Sequence, residues 1–232
     1  MDQDPDDHPA LYRYGAVLLL VAVLLVFEIV APDADWARAV GLALECAALL
    51  VVIATSRARG EMRRRRALVA GVVALLMVLG VASGVLSEGL TFLLAGALAL
   101  AIPLALLGGL LRLIQSRGVT IPAVAGAITI YLLLGLLFAV TIGFVSNVSD
   151  TPYFNERTGV TGGDRVYFSF ATLTTTGYGD FTAATSLGHA LAVVEMLLGQ
   201  LYLVTVIGIL VGNLARRPGT VVGPHQGTDT HG

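Results

Sequence analysis

Long apolar runs separated by short polar clusters make up most of this chain. A helix needs about 20 residues to cross a bilayer. Runs of about that length fall at Gly15–Ala31, Ala37–Thr55, Ala67–Leu86, Leu90–Leu111, Ile121–Val145 and Leu187–Leu214. This spacing predicts an all-α integral membrane protein with six transmembrane helices. The first two runs are short, and each carries a glutamate, Glu28 and Glu45, so their edges are the least defined. Pro122 suits the first turn of the fifth helix, and Pro103 predicts a kink in the fourth.

The connection between the fifth and sixth runs, Ser146–Ser186, is not uniformly polar. SNVSDTPYFNERTGVTGG reads as an exposed loop. DRVYFSFATLT reads as a short helix with Asp164 as its N-cap. It has about three turns, too few to cross. The polar TTTGYGD at Thr174–Asp180 follows directly. Irregular polar backbone at membrane depth is tolerated only where it lines a water-filled cavity or is buried in protein. The pattern therefore predicts a re-entrant pore helix and loop between spans five and six.

Composition removes the soluble alternatives. Of 232 residues, 56% are hydrophobic and 13% charged, and the mean hydropathy is +0.84. The net charge of −2 is uninformative, but the placement of the 14 basic residues, all arginine, is not. TSRARGEMRRRR, between runs two and three, holds Arg57, Arg59, Arg63, Arg64, Arg65 and Arg66. With that loop in the cytoplasm, Arg13, Arg112, Arg117, Arg216 and Arg217 also fall inside. Only Arg38, Arg157 and Arg165 remain outside, as the positive-inside rule expects. Both termini are then cytoplasmic. The RRRR run joins two spans, so headgroup contact explains it and nucleic-acid binding is not expected. The acidic, proline-broken MDQDPDDHPA lacks a basic n-region, which argues against a cleaved signal peptide. Cys46 has no partner for an intrachain disulfide. His225 and His231 sit in a short Gly/Pro-rich tail and mark a disordered end rather than a metal site. The expected organisation is an N-terminal cytoplasmic segment 1–14, a four-helix membrane unit 15–111, a pore unit 121–214 and a cytoplasmic tail 215–232. No cofactor, cytoplasmic ligand-binding domain or enzymatic activity is expected. The lysine-free, arginine- and alanine-rich composition points to a GC-rich bacterial source.

The chemistry of TTTGYGD follows from its glycines. In an ordinary strand successive carbonyls point to opposite sides. Aiming them all one way requires alternating right- and left-handed residues, and the left-handed ones cost an ordinary residue about 1–2 kcal/mol. Glycine escapes that cost. Gly177 and Gly179 supply the left-handed positions, and Thr176 and Tyr178 take the right-handed ones. Rings of such carbonyls replace the hydration shell of a potassium ion, and Thr175 adds its hydroxyl at one end of the row. Tyr178 is expected to pack on Tyr167 and Phe168 of the short helix, holding the row at a fixed width. The negative C-terminal end of that helix favours a cation beyond it.

Thr172, Thr175, Gly177, Tyr178, Gly179 and Asp180 match every fixed position of T-x-x-T-x-G-Y-G-D. The chain thereby resembles the tetrameric potassium-channel family over Ile121–Leu214. The resemblance implies a K⁺ selectivity filter at Thr175, Thr176, Gly177, Tyr178 and Gly179, with Asp180 and Tyr167 among its supports. It also implies a homotetramer in the plasma membrane. Many members have valine where this chain has Thr176. The single copy of the motif excludes a two-filter chain. Gly199 stands where the family often has a gating hinge; simple close packing is the alternative. The fourth run contains no charge, so it lacks the arginines of a voltage sensor. Buried carboxylates are costly and each needs a reason. Glu28 lies near a helix end. Glu45 is a helix–helix hydrogen bond, a countercharge remnant or a proton site. Glu195 either supports the short helix from behind, with a hydroxyl or backbone donor of Ser169–Thr174 as its expected partner, or lines the cavity. The function expected is passive K⁺ conduction. A weakly selective cation channel, a transporter or uptake subunit, and a non-conducting regulatory subunit are the alternatives.

Overall fold

In the computed structural model the described residues are 7–55, 68, 71, 72, 74–81, 83, 85, 87–155 and 159–215. The arginine-rich connection, Arg157 and the tail with Arg216, Arg217, His225 and His231 lie outside them, as does much of the third apolar run. Among the described residues the fold is all-helical. The first helices are α1 (Asp7–Val30), α2 (Asp35–Thr55), α3 (Glu88–Arg117) and α4 (Ile121–Val148). The short α5 (Gly162–Leu173), then α6 (Ser186–Leu201) and α7 (Gly208–Ala215), complete the chain. Residues 74–81 are also helical. A π-helical stretch, Tyr202–Ile207, joins α6 to α7 in one continuous rod.

Among the described residues, four helical stretches are long and apolar enough to cross a membrane: Asp35–Ile53, Gly89–Gln115, Ile121–Val148 and Ser186–Asn213. The apolar part of α1, Tyr14–Val30, has 17 residues. At 1.5 Å per residue it extends about 26 Å, slightly under the hydrocarbon thickness. The helix itself begins at Asp7, well before the apolar run. Hydrophobic patterning locates the buried stretch of a helix and is blind to a polar first turn.

α4 is the axis of the packing. Its flanks meet α3, α1 and α5, and Leu133, Leu136, Ala139 and Ile142 are buried. A helix apolar on every side is one that other helices and lipid surround. α3 begins on Ser87, whose side chain accepts from Leu90 N, and continues through Pro103 as one element. The main core joins Val17, Val21 and Leu24 of α1 to Ile102 and Leu106 of α3 and Ala127, Ile130 and Leu133 of α4. A second, aromatic cluster of Tyr153, Phe154 and Phe168 packs beside Ile142 and Ala183. It fastens the α4–α5 connection to the segment after TTTGYGD, where Phe154 and Ala183 form an antiparallel bridge.

Candidate functional site: the segment after the short helix

The short helix α5 is held at its start. The sequence placed Asp164 at the N-cap; the structure corrects this. Thr161 is the N-cap and Asp164 is three residues in. Asp164 N donates to Thr161 Oγ1 at 3.1 Å, and Thr161 N donates to Asp164 Oδ2 at 2.9 Å. This reciprocal capping box satisfies two otherwise orphaned donors, and the helix starts three residues earlier than an Asp164 cap would give. Gly162 N donates to Asp33 Oδ1 in the α1–α2 turn at 3.1 Å. A Cβ on Gly163 would collide with the Ile29 carbonyl oxygen. The end of α1 thus lies directly on the start of α5.

The flanks of α5 are fixed by buried polar contacts. Ser169 is fully buried, and its hydroxyl donates to Gly135 O of α4 at 2.7 Å. The same hydroxyl is hydrogen-bonded to Glu195 Oε1 of α6, and Glu195 is 1% exposed. A Cβ on Gly135 would lie 2.7 Å from the Phe170 ring, so the absence of a side chain there lets α4 and α5 approach. At the far end Tyr131 Oη donates to Leu173 O at 3.4 Å. Gly199 of α6 faces the same carbonyl, where an added Cβ would overlap the Leu173 oxygen and stand 2.9 Å from Leu173 Cδ1. Gly199 is buried within regular helix, and the π-helical stretch begins three residues later.

The TTTGYGD segment leaves α5 tethered to it. Thr175 N donates to Thr172 O at 2.9 Å, and Thr176 N and Gly177 N both donate to Ala171 O, at 2.8 and 3.1 Å. Three residues have positive φ: Thr175 at 58°, Gly177 at 51° and Gly179 at 79°. Thr176 and Tyr178, between them, do not. The hand of the backbone therefore alternates over five consecutive residues, which turns successive carbonyls toward one side. The alternation reaches one residue beyond the glycines, to a β-branched threonine. That residue is under strain, and its hydroxyl accepts from Gln200 Nε2 at 2.9 Å. Thr174 Oγ1 and Thr176 Oγ1 are 2.8 Å apart. Residues 174–180 are all exposed in the single chain, and the segment and α5 flank a cavity of about 330 Å³.

Beyond the segment, Tyr178 stacks on Tyr167 with ring centroids 6.2 Å apart and planes 7° from parallel. Phe168 was expected in that stack but faces the other way, 5.0 Å from Phe154. Consecutive residues on a helix are about 100° apart, so α5 gives its two aromatics to two different layers. Phe181 fills the place instead, 5.9 Å from Tyr167 and 5.4 Å from Phe154. Asp180 Oδ1 accepts from Phe181 N at 3.1 Å. Tyr153 Oη donates to Gly188 O at 3.3 Å. Burial, and secondarily the Glu195 carboxylate, push its hydroxyl up to about 12.

The structure thus brings Thr175–Asp180, Tyr167, Glu195 and Gly199 around one short helix end. The sequence reading missed Gln200, Tyr131, Gly135 and Asp33, whereas Ser169 lies in the Ser169–Thr174 stretch expected to hold the partner of Glu195. Only Gln200 carried a usable signal, a polar side chain inside an apolar run. The others are ordinary residues until α5 is placed between α4 and α6. No curated protein and no solved structure matched the chain. Residues 127–216, from α4 through α5, the TTTGYGD segment and the final rod, match the family model described as an ion channel. This part of the membrane-embedded chain is similar to an ion channel domain, which supports passive ion conduction.

Proposed function

We propose that the chain is one subunit of a homotetrameric potassium-selective channel of the plasma membrane. Its filter is Thr175, Thr176, Gly177, Tyr178 and Gly179. The observation that carries this reading is the alternation of φ sign from Thr175 to Gly179 on a motif with glycine at two of the three left-handed places. Four such strands around an axis supply rings of backbone carbonyls, with the Thr175 hydroxyls as the innermost ring, in place of the water lost by K⁺. The topology proposed is six spans with both termini cytoplasmic, α5 entering and leaving from the outer side.

Two further features support assembly. The TTTGYGD backbone is exposed in the single chain, a state that membrane depth does not tolerate without protein or water around it. The final rod keeps Leu187, Val194, Leu197, Leu201 and Val204 exposed, a surface for neighbouring subunits and lipid. Asp180, Tyr167 and Glu195 act as supports. Gly199 spends its missing side chain on Leu173, so bending of the rod is assigned to the π-helical stretch at Tyr202–Ile207, where the regular helical ladder is already interrupted. The test is ion flux into liposomes containing the purified protein. Uptake of ⁸⁶Rb⁺ well above that of ²²Na⁺ is expected; equal uptake refutes selectivity, and no uptake of either refutes conduction.

A further inference from the structure

A second cavity lies away from the TTTGYGD segment, among α1, α2, α3, α4 and the first turn of α5. Its volume is about 110 Å³. A water needs roughly 10–15 Å³ on such a measure, so there is room for a molecule of several heavy atoms. The charged groups on its wall are Glu28, Asp33, Arg38, Glu45 and Arg165, three acids against two bases.

The two glutamates belong to one face. Glu28 Oε1 of α1 lies against Gly41, where any Cβ would collide with it. Glu45 is four residues further along α2, on the same side of that helix. Glu45 is 7% exposed, and its Oε2 has no hydrogen-bond partner among the described residues. Neither base on the wall hydrogen-bonds to that oxygen. Arg38 pairs with Asp35 at 3.5 Å, and the Arg165 guanidinium lies over the Phe92 ring, 5.5 Å from its centroid. A buried carboxylate oxygen facing a cavity without a donor calls for one from outside the chain.

The chemistry of the wall narrows the donor. Three acids against two bases disfavour an anion. A chelated metal ion is disfavoured, because no three acidic, histidine or cysteine groups among the described residues converge as a metal site. The remaining wall is largely hydrocarbon: Leu42, Ala95, Leu136, Ala139 and Val140. We infer that this cavity binds a small organic monocation, an ammonium with a short alkyl chain. Its N–H groups donate to Glu28 and Glu45, and its chain lies against the apolar wall. Charge-assisted bonds to the two carboxylates supply the specificity. Because Val166 and Arg165 complete the wall, the occupant touches the helix that leads to TTTGYGD.

The test is calorimetric titration of the purified full chain in detergent with n-propylammonium chloride at constant ionic strength. Tetramethylammonium, which has no N–H, KCl and CaCl₂ serve as comparators. Saturable propylammonium binding is expected, with tetramethylammonium at least tenfold weaker. Glu45→Gln should weaken propylammonium at least tenfold. Ala95→Leu fills the cavity from another helix without touching either carboxylate, so it should abolish binding even if Glu45→Gln fails to fold. Absence of saturable binding means a water-filled cavity and overturns the inference. Binding unchanged in Ala95→Leu means a cation held elsewhere, such as the ion path, and overturns it equally. Tighter binding of Ca²⁺ overturns the assignment of the ligand class. The ⁸⁶Rb⁺ flux of the same preparations reports separately on the proposed channel.

Discussion

Replacing Glu195 separates support of α5 from a charge in the ion path. Alanine removes a carboxyl group that is 1% exposed and hydrogen-bonded to Ser169. A hydrogen bond to a charged or acidic group contributes about 1.5–3 kcal/mol, and emptying a buried site of this size costs about 2–5 kcal/mol in leucine-to-alanine series. The two overlap, and they are moderated because Ser169 keeps Gly135 O at 2.7 Å and is not orphaned. A net loss of about 3 kcal/mol per subunit is expected for Glu195→Ala. Glutamine retains the volume and offers Ser169 either an N–H or a carbonyl, so Glu195→Gln should cost under about 1 kcal/mol. Denaturation of the purified protein measures the stability, and single-channel recording the openings. The alanine variant should be less stable and show shortened openings at unchanged unitary K⁺ conductance, with glutamine close to wild type. Equal loss of conductance in both variants, with normal open times, would refute the supporting role and place the carboxylate in the ion path.

Gly177→Ala and Gly179→Ala each force a Cβ onto positive φ, a penalty of about 1–2 kcal/mol per residue; reversal-potential measurements should show loss of conduction or of K⁺/Na⁺ discrimination, and unchanged selectivity sinks the filter assignment. Gly199→Ala drives a Cβ into the Leu173 carbonyl, so stability should fall by about 1–3 kcal/mol; normal stability with altered gating alone would make Gly199 a hinge. Open probability between −100 and +100 mV should change only shallowly, since the membrane part of α3 carries no charge and each charge moved is worth about 2.3 kcal/mol per 100 mV; a steep curve abolished by mutations in α1–α3 contradicts this. The Tyr153 hydroxyl is raised from 10 to about 12, so its contribution is complete below pH 10 and is lost as pH rises through 12; thermal melts of Tyr153→Phe should lack that part of the alkaline decline, and identical declines count against the buried phenol.

The long apolar helices were legible because membrane helices announce themselves by length. The start of α5 lies three residues before the expected one because Thr161, Gly162 and Gly163 carry no apolar signal, and capping boxes extend helices past it. Glycine at 177 and 179 disclosed two left-handed residues. The third, Thr175, was invisible, because nothing in a threonine marks φ of 58°; the surrounding bonds impose it. Glu195 could be placed behind α5 from its spacing to Gly199, with its partner narrowed to Ser169–Thr174; which residue of that stretch it meets, and the contact of Gly199 with Leu173, depend on how α4 and α6 cross. The cavity at Glu28 and Glu45 was unreadable for the same reason: two acids 17 positions apart become neighbours only when Gly41 lets α1 and α2 close together.

The contacts at the two ends of α5 link N-terminal helices that carry no arginine ladder to a channel-like region. At its start, Asp33 holds Gly162 N and Ile29 occupies the space above Gly163. At its end, Gly199 abuts Leu173 and Gln200 holds Thr175. The first pair comes from α1 and the α1–α2 turn, the second from α6. A helix of 12 residues has too few backbone bonds to fix its own position in a membrane, so its depth and tilt are set by what grips its ends. A shift of α1 along its axis would press Ile29 O on Gly163, which has no side chain to yield. α1 and the α1–α2 turn therefore bear on the start of the helix that leads into the TTTGYGD segment. They bound the position of α5 at that end, and the cavity between α1, α2 and α5 lies beside the same contacts.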